Sequence, residues 1–308
     1  MGRSASPKRR PRAGGPRLLL ALAAACLIGP AGAETGCLGH FANGAAPTFP
    51  NPKLSARTRL LCYDGYAVLH SGVTRTALWS AEHLTAERIQ AARALERVNT
   101  FHPDPNLAED ERAELADYAG SGFDRGHMAP SGDMADPRAM EQSFSLANMV
   151  PQNPDLNRGL WEDVESAVRG LAARRGEVYV VTGAVFQGEA VQSLRGRVLV
   201  PSHVYKAVYD PGRGGAAAYL APNVDGAGLQ VMPLAALEQL AGVAPFPNLP
   251  QAARETAIEL PDPRRHRRER GPAHEAQGPF PEILPHAPWR ADDFVRGTIE
   301  AIERFGRP

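Results

Sequence analysis

The stretch Gly122-Phe123-Asp124-Arg125-Gly126-His127-Met128-Ala129-Pro130 combines residue types that are costly to place together without a purpose. Asp124 and Arg125 carry opposite charges, and His127 can titrate near neutral pH. Gly126 gives the backbone between them conformational freedom. Alone, the stretch would also fit a surface turn with a salt bridge, so the residues that follow it decide its meaning.

About 20 residues further on, a second polar segment leads into a predicted amphipathic helix. Pro151 and Pro154 forbid a regular helix before Asp155, and either Asp155 or Asn157 suits the N-cap. Gly176 suits the position after the helix end. Apolar residues recur at three- and four-residue steps, which predicts one buried stripe: Leu156, Leu160, Trp161, Val164, Val168 and Leu171.

The same helix carries a second ridge of residues. Asn157, Trp161, Glu165 and Arg169 follow one another at four-residue steps, so they share one slowly drifting face. Asn157 and Glu165 are then about 12 Å apart along the axis, at about 1.5 Å per residue. That is too far for both to bind one ion directly, and it suits one direct ligand plus a second group that reaches the metal through water.

The two segments together resemble the signature of the DNA/RNA non-specific endonucleases, the endonuclease G-like ββα-metal nucleases. The first segment holds an Asp-Arg-Gly-His tetrad. The second holds an Asn-Pro-Gln-type turn, Leu-Asn-x-Gly-x-Trp, and a Glu eight residues after the Asn. The matching residues are Asp124, Arg125, Gly126, His127, Asn148, Pro151, Gln152, Leu156, Asn157, Gly159, Trp161 and Glu165. The resemblance extends more weakly from Cys37 to about Pro250.

The resemblance implies an α+β fold with a mixed, largely antiparallel central sheet flanked by helices and a ββα-metal site element. We expect this domain to cover residues 34–250, after a signal peptide at residues 1–33 and before a partly mobile extension at residues 251–308. One strand pattern covers Leu61–Tyr63 with Tyr66–His70, and the next covers Leu78–Leu84. Residues 231–240 indicate a short helix.

The resemblance also assigns chemical roles. His127 is expected to be the general base, because histidine can accept a proton from water near pH 7. A hard cation, Mg²⁺ with Mn²⁺ as the alternative, is expected to bind the side-chain oxygen of Asn157 directly and Glu165 through water. Asp124 and Asn148 are expected to support the geometry.

Three arginines are expected to contact phosphate oxygens and the transition state: Arg97, Arg125 and Arg169. Arg97 lies 30 residues before His127, as the resemblance requires. Arg93 is the alternative, and Arg97 as a solvated helix residue also stays open. His70 and His83 are expected to be ordinary strand residues.

No element that reads bases is evident, so we expect recognition through the nucleic-acid backbone and little distinction between DNA and RNA. The sequence thus predicts an exported, metal-dependent endonuclease. Two alternatives stay open: a non-catalytic nucleic-acid-binding or DNA-uptake protein, and a phosphodiesterase for other phosphoesters. A protein inhibitor or a homodimer also stays open, and no sequence feature points to either.

The N-terminus predicts a secretory leader. Six basic residues precede an apolar run, Leu18–Ile28, and Ala31-Gly32-Ala33 is a small-residue cleavage site. The run is too short to span a bilayer, so we expect no membrane association after cleavage. An uncleaved anchor, a lipoprotein through Cys26 and twin-arginine export stay open as weaker alternatives.

Removal of the leader changes charge and cysteine content. The whole chain has 34 basic and 34 acidic residues, so the mature chain would have 34 − 6 = 28 basic residues and a net charge of 28 − 34 = −6. A nucleic-acid enzyme with this balance must concentrate positive charge locally. Two cysteines remain, Cys37 and Cys62, and in an exported protein they predict a disulfide, with two free thiols as the alternative. The basic segment Arg264–Arg270 indicates a solvated tail, with a nucleic-acid arm as the alternative.

Overall fold

The computed structural model describes residues 1–2, 37–50, 52–188 and 191–263. Residues 3–33 of the predicted leader and the basic segment Arg264–Arg270 lie outside the described residues, so both stay predictions. Within the described ranges, no helix is long and apolar enough to cross a membrane.

An antiparallel sheet of seven strands is the centre of the described part of the chain, and helices flank it, which confirms the predicted α+β class. The described strands are β1 (Thr58–Cys62), β2 (Ala67–Ser71), β3 (Thr76–Thr85), β4 (Asp124–His127), β5 (Met149–Gln152), β6 (Glu177–Val185), β7 (Ser193–Leu194), β8 (Val198–Leu199), β9 (His203–Asp210), β10 (Gly215–Pro222) and β11 (Gln230–Met232). The spatial order of the large sheet is β1-β2-β3-β6-β9-β10-β11, while β4 pairs with β5 and β7 pairs with β8.

The middle strands of the sheet are buried on both faces. Strand β6 reads Glu-Val-Tyr-Val-Val-Thr-Gly-Ala-Val, and all but two of its residues are buried. Strand β3 is buried in eight of its ten positions. The near-continuous apolar run of β6 is typical of a strand that is covered on both sides. The polar residues that these strands do bury therefore need partners, and some of them support the site described below.

The prediction of a single first strand over residues 61–70 is wrong. The structure places a two-strand hairpin there, with Cys62 opposite Ala67. The backbone N–H of Tyr63 donates to the carbonyl of Tyr66 at 2.9 Å and closes a turn over Asp64 and Gly65. Asp-Gly is a strong two-residue hairpin signal, which the interpretation as one continuous strand overlooked.

The described α-helices are α1 (Ala86–Ala92), α2 (Leu115–Tyr118), α3 (Pro137–Ser143), α4 (Trp161–Arg175), α5 (Leu234–Ala241) and α6 (Gln251–Glu255). The helix predicted at residues 231–240 begins only at Leu234, because Val231 belongs to β11. Packing continues beyond Pro250: Leu260 is buried, and the hydroxyl of Tyr219 donates to the carbonyl of Pro261 at 2.5 Å.

A disulfide joins Cys37 to Cys62 and ties the N-terminal arm to β1, with the two Cα atoms 5.4 Å apart. The bond closes a loop with a sequence separation of 25 residues. On the chain-entropy model, a loop of this size stabilises the fold by about 3 kcal/mol.

We expect intact-mass measurement of the native protein to show no alkylatable thiol among residues 34–308 before reduction and two thiols after it. Reduction should lower the free energy of unfolding by about 3 kcal/mol, as measured by urea denaturation. Cys62→Ser is the matched variant, because it should show the lower stability with no further response to reductant. Two thiols that react with iodoacetamide in the native, unreduced protein would contradict the pairing.

Candidate active site

The ββα element consists of β4, β5 and the helical segment that follows them. The four residues of β4 pair with β5 so that Asp124 lies opposite Gln152 and His127 lies opposite Met149. Gly126 is needed here for space and not, as the sequence indicated, for backbone freedom: it has no positive φ. A Cβ atom at position 126 would lie 2.5 Å from the Cβ of Gln152, which is closer than real side chains allow.

We expect Gly126→Ala to lower the free energy of unfolding by about 1–3 kcal/mol, the usual cost of forcing extra volume into a packed core, and to reduce activity by displacing His127. Chemical denaturation and a cleavage assay measure both effects. Gly39→Ala is the control, because a Cβ atom at position 39 would meet nothing within 4 Å. Equal stability of the two variants would contradict the close packing at Gly126.

His127 lies in an aromatic box at the end of β4 and is 9% exposed. Its ring centroid is 5.6 Å from that of Phe101 and 5.0 Å from that of Phe144. Burial, together with the charges of Arg97 and Arg125, lowers the pKa of His127 to about 3, so the ring is neutral at neutral pH. Its Nε2 atom is buried without a hydrogen-bond partner, which leaves Nδ1 as the nitrogen that can act towards the cavity.

Asn148 fixes the backbone immediately after His127. Its Oδ1 accepts from the backbone N–H of Ala129 and from the hydroxyl of Ser80, each at 2.9 Å. Its Nδ2 donates to the carbonyls of Ala129 at 2.8 Å and Ser143 at 2.9 Å. Because Asn148 is fully buried and its amide is satisfied on all sides, it acts on the site by holding the chain beside the histidine.

The helical segment that carries Asn157 begins earlier than predicted, with its cap two residues before Asp155 and four before Asn157. Asn153, and not Asp155 or Asn157, caps it: its Oδ1 accepts from the backbone N–H groups of Asp155 at 3.0 Å and Leu156 at 3.3 Å. Pro154 occupies the first helical position, where the missing N–H of proline costs nothing.

A π-helical turn, Leu156–Leu160, then leads into α4. Leu156, Trp161, Val164, Val168 and Leu171 form the predicted buried stripe, while Leu160 is half-buried. Gly176, with a φ of 92°, follows the helix end as predicted.

Asp124 connects β4 to this turn. Its carboxylate accepts from Asn157 Nδ2 at 2.9 Å and from Arg158 Nε and Nη2 at 2.8 and 2.6 Å. Burial works against the charge, but the hydrogen bonds from Arg158 and Asn157 hold the pKa of Asp124 below its usual range. Because the amide nitrogen of Asn157 is engaged by Asp124, its Oδ1 is the atom left for a cation. No local sequence signal points to Arg158, whose partner is 34 residues away.

Glu165 and Arg169 lie one and two turns into α4. The buried Lys206 and Thr182 of the sheet lie near Glu165. Arg169 Nη1 donates to Asp133 Oδ1 at 2.9 Å, and Nη2 donates to Ser166. Burial raises the pKa of Glu165 to about 7, against the opposing charges of Lys206 and Arg169. Lys206 is 1% exposed, and its Nζ donates to Thr182 Oγ1 at 2.5 Å.

One cavity of about 510 Å³ unites the predicted site residues. Its wall includes Arg97, Asp124, Arg125, His127, Asn157, Glu165 and Arg169, together with Arg158 and Glu162, which the sequence did not indicate. Asn148 lies behind this wall. The Arg125 guanidinium stacks 4.1 Å from the Phe101 ring centroid, and that of Arg97 lies 5.5 Å from that of Phe144. Arg93 lies in a neighbouring cavity, so the geometry favours Arg97 as the first arginine of the site.

The two histidines expected to be ordinary strand residues have ordinary partners. His70 Nε2 lies 2.9 Å from the carbonyl oxygen of Glu111, and His83 Nε2 lies 2.6 Å from Glu177 Oε2. Neither residue lines the 510 Å³ cavity.

The model of the DNA/RNA non-specific endonucleases matches residues 45–252, more than half of the chain. The chain belongs to this family. Among its relatives, human mitochondrial nuclease EXOG is 31% identical over 277 residues, covering 77% of this chain and 74% of that protein. Mitochondrial endonuclease G of Caenorhabditis elegans is 32% identical over 214 residues, covering 62% and 69%.

Other comparisons agree with the family. Nuclease C1 of Cunninghamella echinulata is 39% identical over 160 residues, but this alignment covers only 48% of this chain and 64% of that protein. The crystal structure of the EndoG/EndoGI complex, in which EndoG is inhibited, contains a chain that is 24% identical, with a TM-score of 0.56. The match covers 68% of this chain and 98% of that one, and the likeness establishes the fold.

The residues at the site fit the metal ion that this family of metal-dependent nucleases implies. Among the described residues, no group of three or more His, Cys, Asp and Glu side chains could hold a metal. A neutral amide oxygen at Asn157 and the carboxylate of Glu165 face one cavity. A site with so few oxygen ligands from the protein suits a hard cation that keeps most of its bound waters, as Mg²⁺ usually does.

Proposed function

We propose that the chain is an exported, Mg²⁺-dependent endonuclease that hydrolyses phosphodiester bonds of DNA and RNA with little sequence or sugar specificity. The observation that carries this proposal is the convergence of His127 from β4 and Asn157 from the π-helical turn on one cavity. Arg97 and Arg125 contribute to the same wall and stack on aromatic rings. A neutral base beside fixed cations is the combination that hydrolysis of a phosphodiester requires.

The residues divide the reaction between them. Nδ1 of His127 accepts the proton of the attacking water, because burial keeps the ring neutral. Arg97 and Arg125 donate to the phosphate oxygens and stabilise the charge that grows on them in the transition state. Asn157 Oδ1 would hold the metal ion directly and Glu165 would hold it through water; when bound, the ion supplies positive charge to the phosphate and the leaving 3′ oxygen.

Asp124 and Asn148 position the reacting residues. Asp124 fixes the amide of Asn157, and Asn148 fixes the chain next to His127. Arg169 donates from Nη1 to Asp133 and from Nη2 to Ser166, so its contribution to phosphate binding comes mainly from its charge.

Digestion of plasmid DNA, RNA and a small phosphodiester by the purified protein separates this proposal from its two alternatives. The nuclease cleaves both polymers in the presence of Mg²⁺. A non-catalytic binding protein would retain DNA and cleave none of the three. A phosphodiesterase for other phosphoesters would cleave the small compound and leave the polymers intact.

Export is the part of the proposal that rests on the leader. The basic and apolar segments before Ala33, together with the disulfide, support it. The EXOG and endonuclease G relatives are named as mitochondrial, so the localisation of this chain needs its own test. N-terminal sequencing of the protein recovered from its native host fractions should find a mature chain that begins at Glu34.

We expect Mg²⁺ binding to weaken as the pH falls from about 8 to about 6. Burial raises the pKa of Glu165 to about 7, so this carboxylate gains a proton over that range and loses its attraction for a cation. His127, with a pKa of about 3, stays neutral throughout, so the cleavage rate at saturating Mg²⁺ should change less than the affinity.

Calorimetric titration with Mg²⁺ in the absence of nucleic acid measures this pH dependence. Glu165→Gln is the matched control, because its side chain does not titrate and its Mg²⁺ affinity should vary less with pH. The same pH dependence in both proteins would show that another group is responsible.

A further inference from the structure

A second cavity, of about 370 Å³, lies between the end of α1 and the second half of α4. Its wall includes Arg93, Gly132, Arg169, Gly170, Ala173 and Arg174. Gly132 and Arg169 also line the catalytic cavity, so the two cavities share one boundary. A Cβ atom at position 132 would lie 3.3 Å from Arg169 Nη1, which shows how closely this boundary is packed.

One face of α4 shapes the second cavity. Ser166, Arg169, Gly170, Ala173 and Arg174 recur at three- and four-residue steps, so they form a single stripe on the side of the helix away from its apolar stripe. Small residues occupy the middle of the stripe and leave room above the helix. Glycine at position 170 lowers the stability of the helix by about 1 kcal/mol relative to alanine. Its lack of a side chain keeps the groove above the helix open.

The charged side chains that line the second cavity are all positive. Its described wall contains three arginines and no carboxylate, whereas the catalytic cavity contains Asp124, Glu162 and Glu165. Arg93 and Arg174 are exposed, while Arg169 is engaged by Asp133. The whole chain has equal numbers of acidic and basic residues, so this concentration of positive charge is local and does not reflect a generally basic protein.

We propose that the second cavity is a phosphate subsite that holds the sugar–phosphate backbone next to the scissile bond, with Arg93 and Arg174 as its donors. This inference rests on the proposed nuclease function. A strand with its scissile phosphate beside His127 passes over Gly132 and Arg169 and places a neighbouring phosphate between the two exposed arginines. Forked guanidinium groups suit phosphate oxygens, and a subsite that contacts only the backbone is independent of sequence.

The test compares substrates of different length. The variant Arg93→Gln/Arg174→Gln removes both charges from exposed positions, and Arg59→Gln, on the exposed edge strand β1 and outside both cavities, is the control. The probes are bis(p-nitrophenyl) phosphate, which has a single phosphodiester, and a twelve-nucleotide single-stranded DNA. Steady-state cleavage measures kcat and KM, and fluorescence anisotropy in EDTA measures binding of the DNA at several salt concentrations.

The subsite predicts an about tenfold higher KM of the double variant for the twelve-nucleotide DNA, with kcat and the cleavage of the small phosphodiester unchanged. The slope of log affinity against log salt should fall by about 0.7 for each lost phosphate contact. Arg93→Lys/Arg174→Lys should recover most of the affinity. Binding and cleavage equal to those of Arg59→Gln would overturn the subsite, and so would an equal loss on both substrates.

The outcomes also separate this inference from the function on which it rests. A wild-type protein that cleaves neither probe contradicts the nuclease function. A wild-type protein that cleaves the DNA, with a double variant that matches the control, contradicts only the subsite.

Discussion

Replacing His127 with alanine is expected to lower kcat by about 10²–10⁴-fold, the usual loss when a positioned base is removed. The ring is the neutral group that lies in the cavity beside the arginines, and burial in its aromatic box keeps its pKa at about 3. Because no cation ligand is removed, the Mg²⁺ affinity of the variant should stay close to that of the wild type. The measurements are steady-state plasmid cleavage and calorimetric Mg²⁺ titration.

Two controls make the His127 result specific. His83→Ala removes a histidine that is paired with Glu177 outside the catalytic cavity, and it should retain near-wild-type kcat. Added imidazole should restore part of the rate of His127→Ala, because it can occupy the vacated space and accept the proton. A His127→Ala protein that melts like the wild type and cleaves at its rate would refute the assignment of the base.

Replacing Asn157 with alanine is expected to abolish activity at ordinary Mg²⁺ concentrations by a different route. The variant loses the amide oxygen that the Asp124 contact leaves free for a cation, so Mg²⁺ affinity should fall, and a higher Mg²⁺ concentration should recover part of the rate. Calorimetric titration without nucleic acid measures the affinity independently of catalysis.

Arg158→Ala is the matched control for Asn157→Ala. It also removes donors to the Asp124 carboxylate, through the contacts at 2.8 and 2.6 Å, but it leaves the Asn157 amide oxygen in place. Its Mg²⁺ affinity should stay near that of the wild type, and Glu165→Gln should fall between the two. If Arg158→Ala and Asn157→Ala lose affinity equally, the defect comes from a disturbed Asp124, and Asn157 is not the ligand.

A pattern that is local in the sequence predicted the buried face of α4, while the α+β class followed from the family resemblance. The three- and four-residue spacing from Leu156 to Leu171 predicted the buried stripe of α4, and most of that stripe is buried. The tetrad and the Asn-containing helix, taken together, led to the family that the comparison establishes. Both are features of residues that are close in sequence, where periodicity and turn chemistry determine the structure.

Features that depend on distant contacts were not predictable from the residues alone. Gly126 is required because Gln152 packs on it from the neighbouring strand, and no local pattern reports that contact. The partner of Asp124 is Arg158, on another element. The low pKa of His127 depends on burial by Phe101 and Phe144 and on nearby arginines, which only the assembled fold brings together.

The central claim, that this site hydrolyses nucleic acids with a base at His127 and a cation at Asn157, is tested most directly by one digestion experiment. Closed circular plasmid and folded RNA are incubated with the wild-type protein and with His127→Ala, each in Mg²⁺ and in EDTA. We expect cleavage of both polymers by the wild type in Mg²⁺ alone, and almost none by the variant. Equal cleavage by wild type and variant, or undiminished cleavage in EDTA, would contradict the claim.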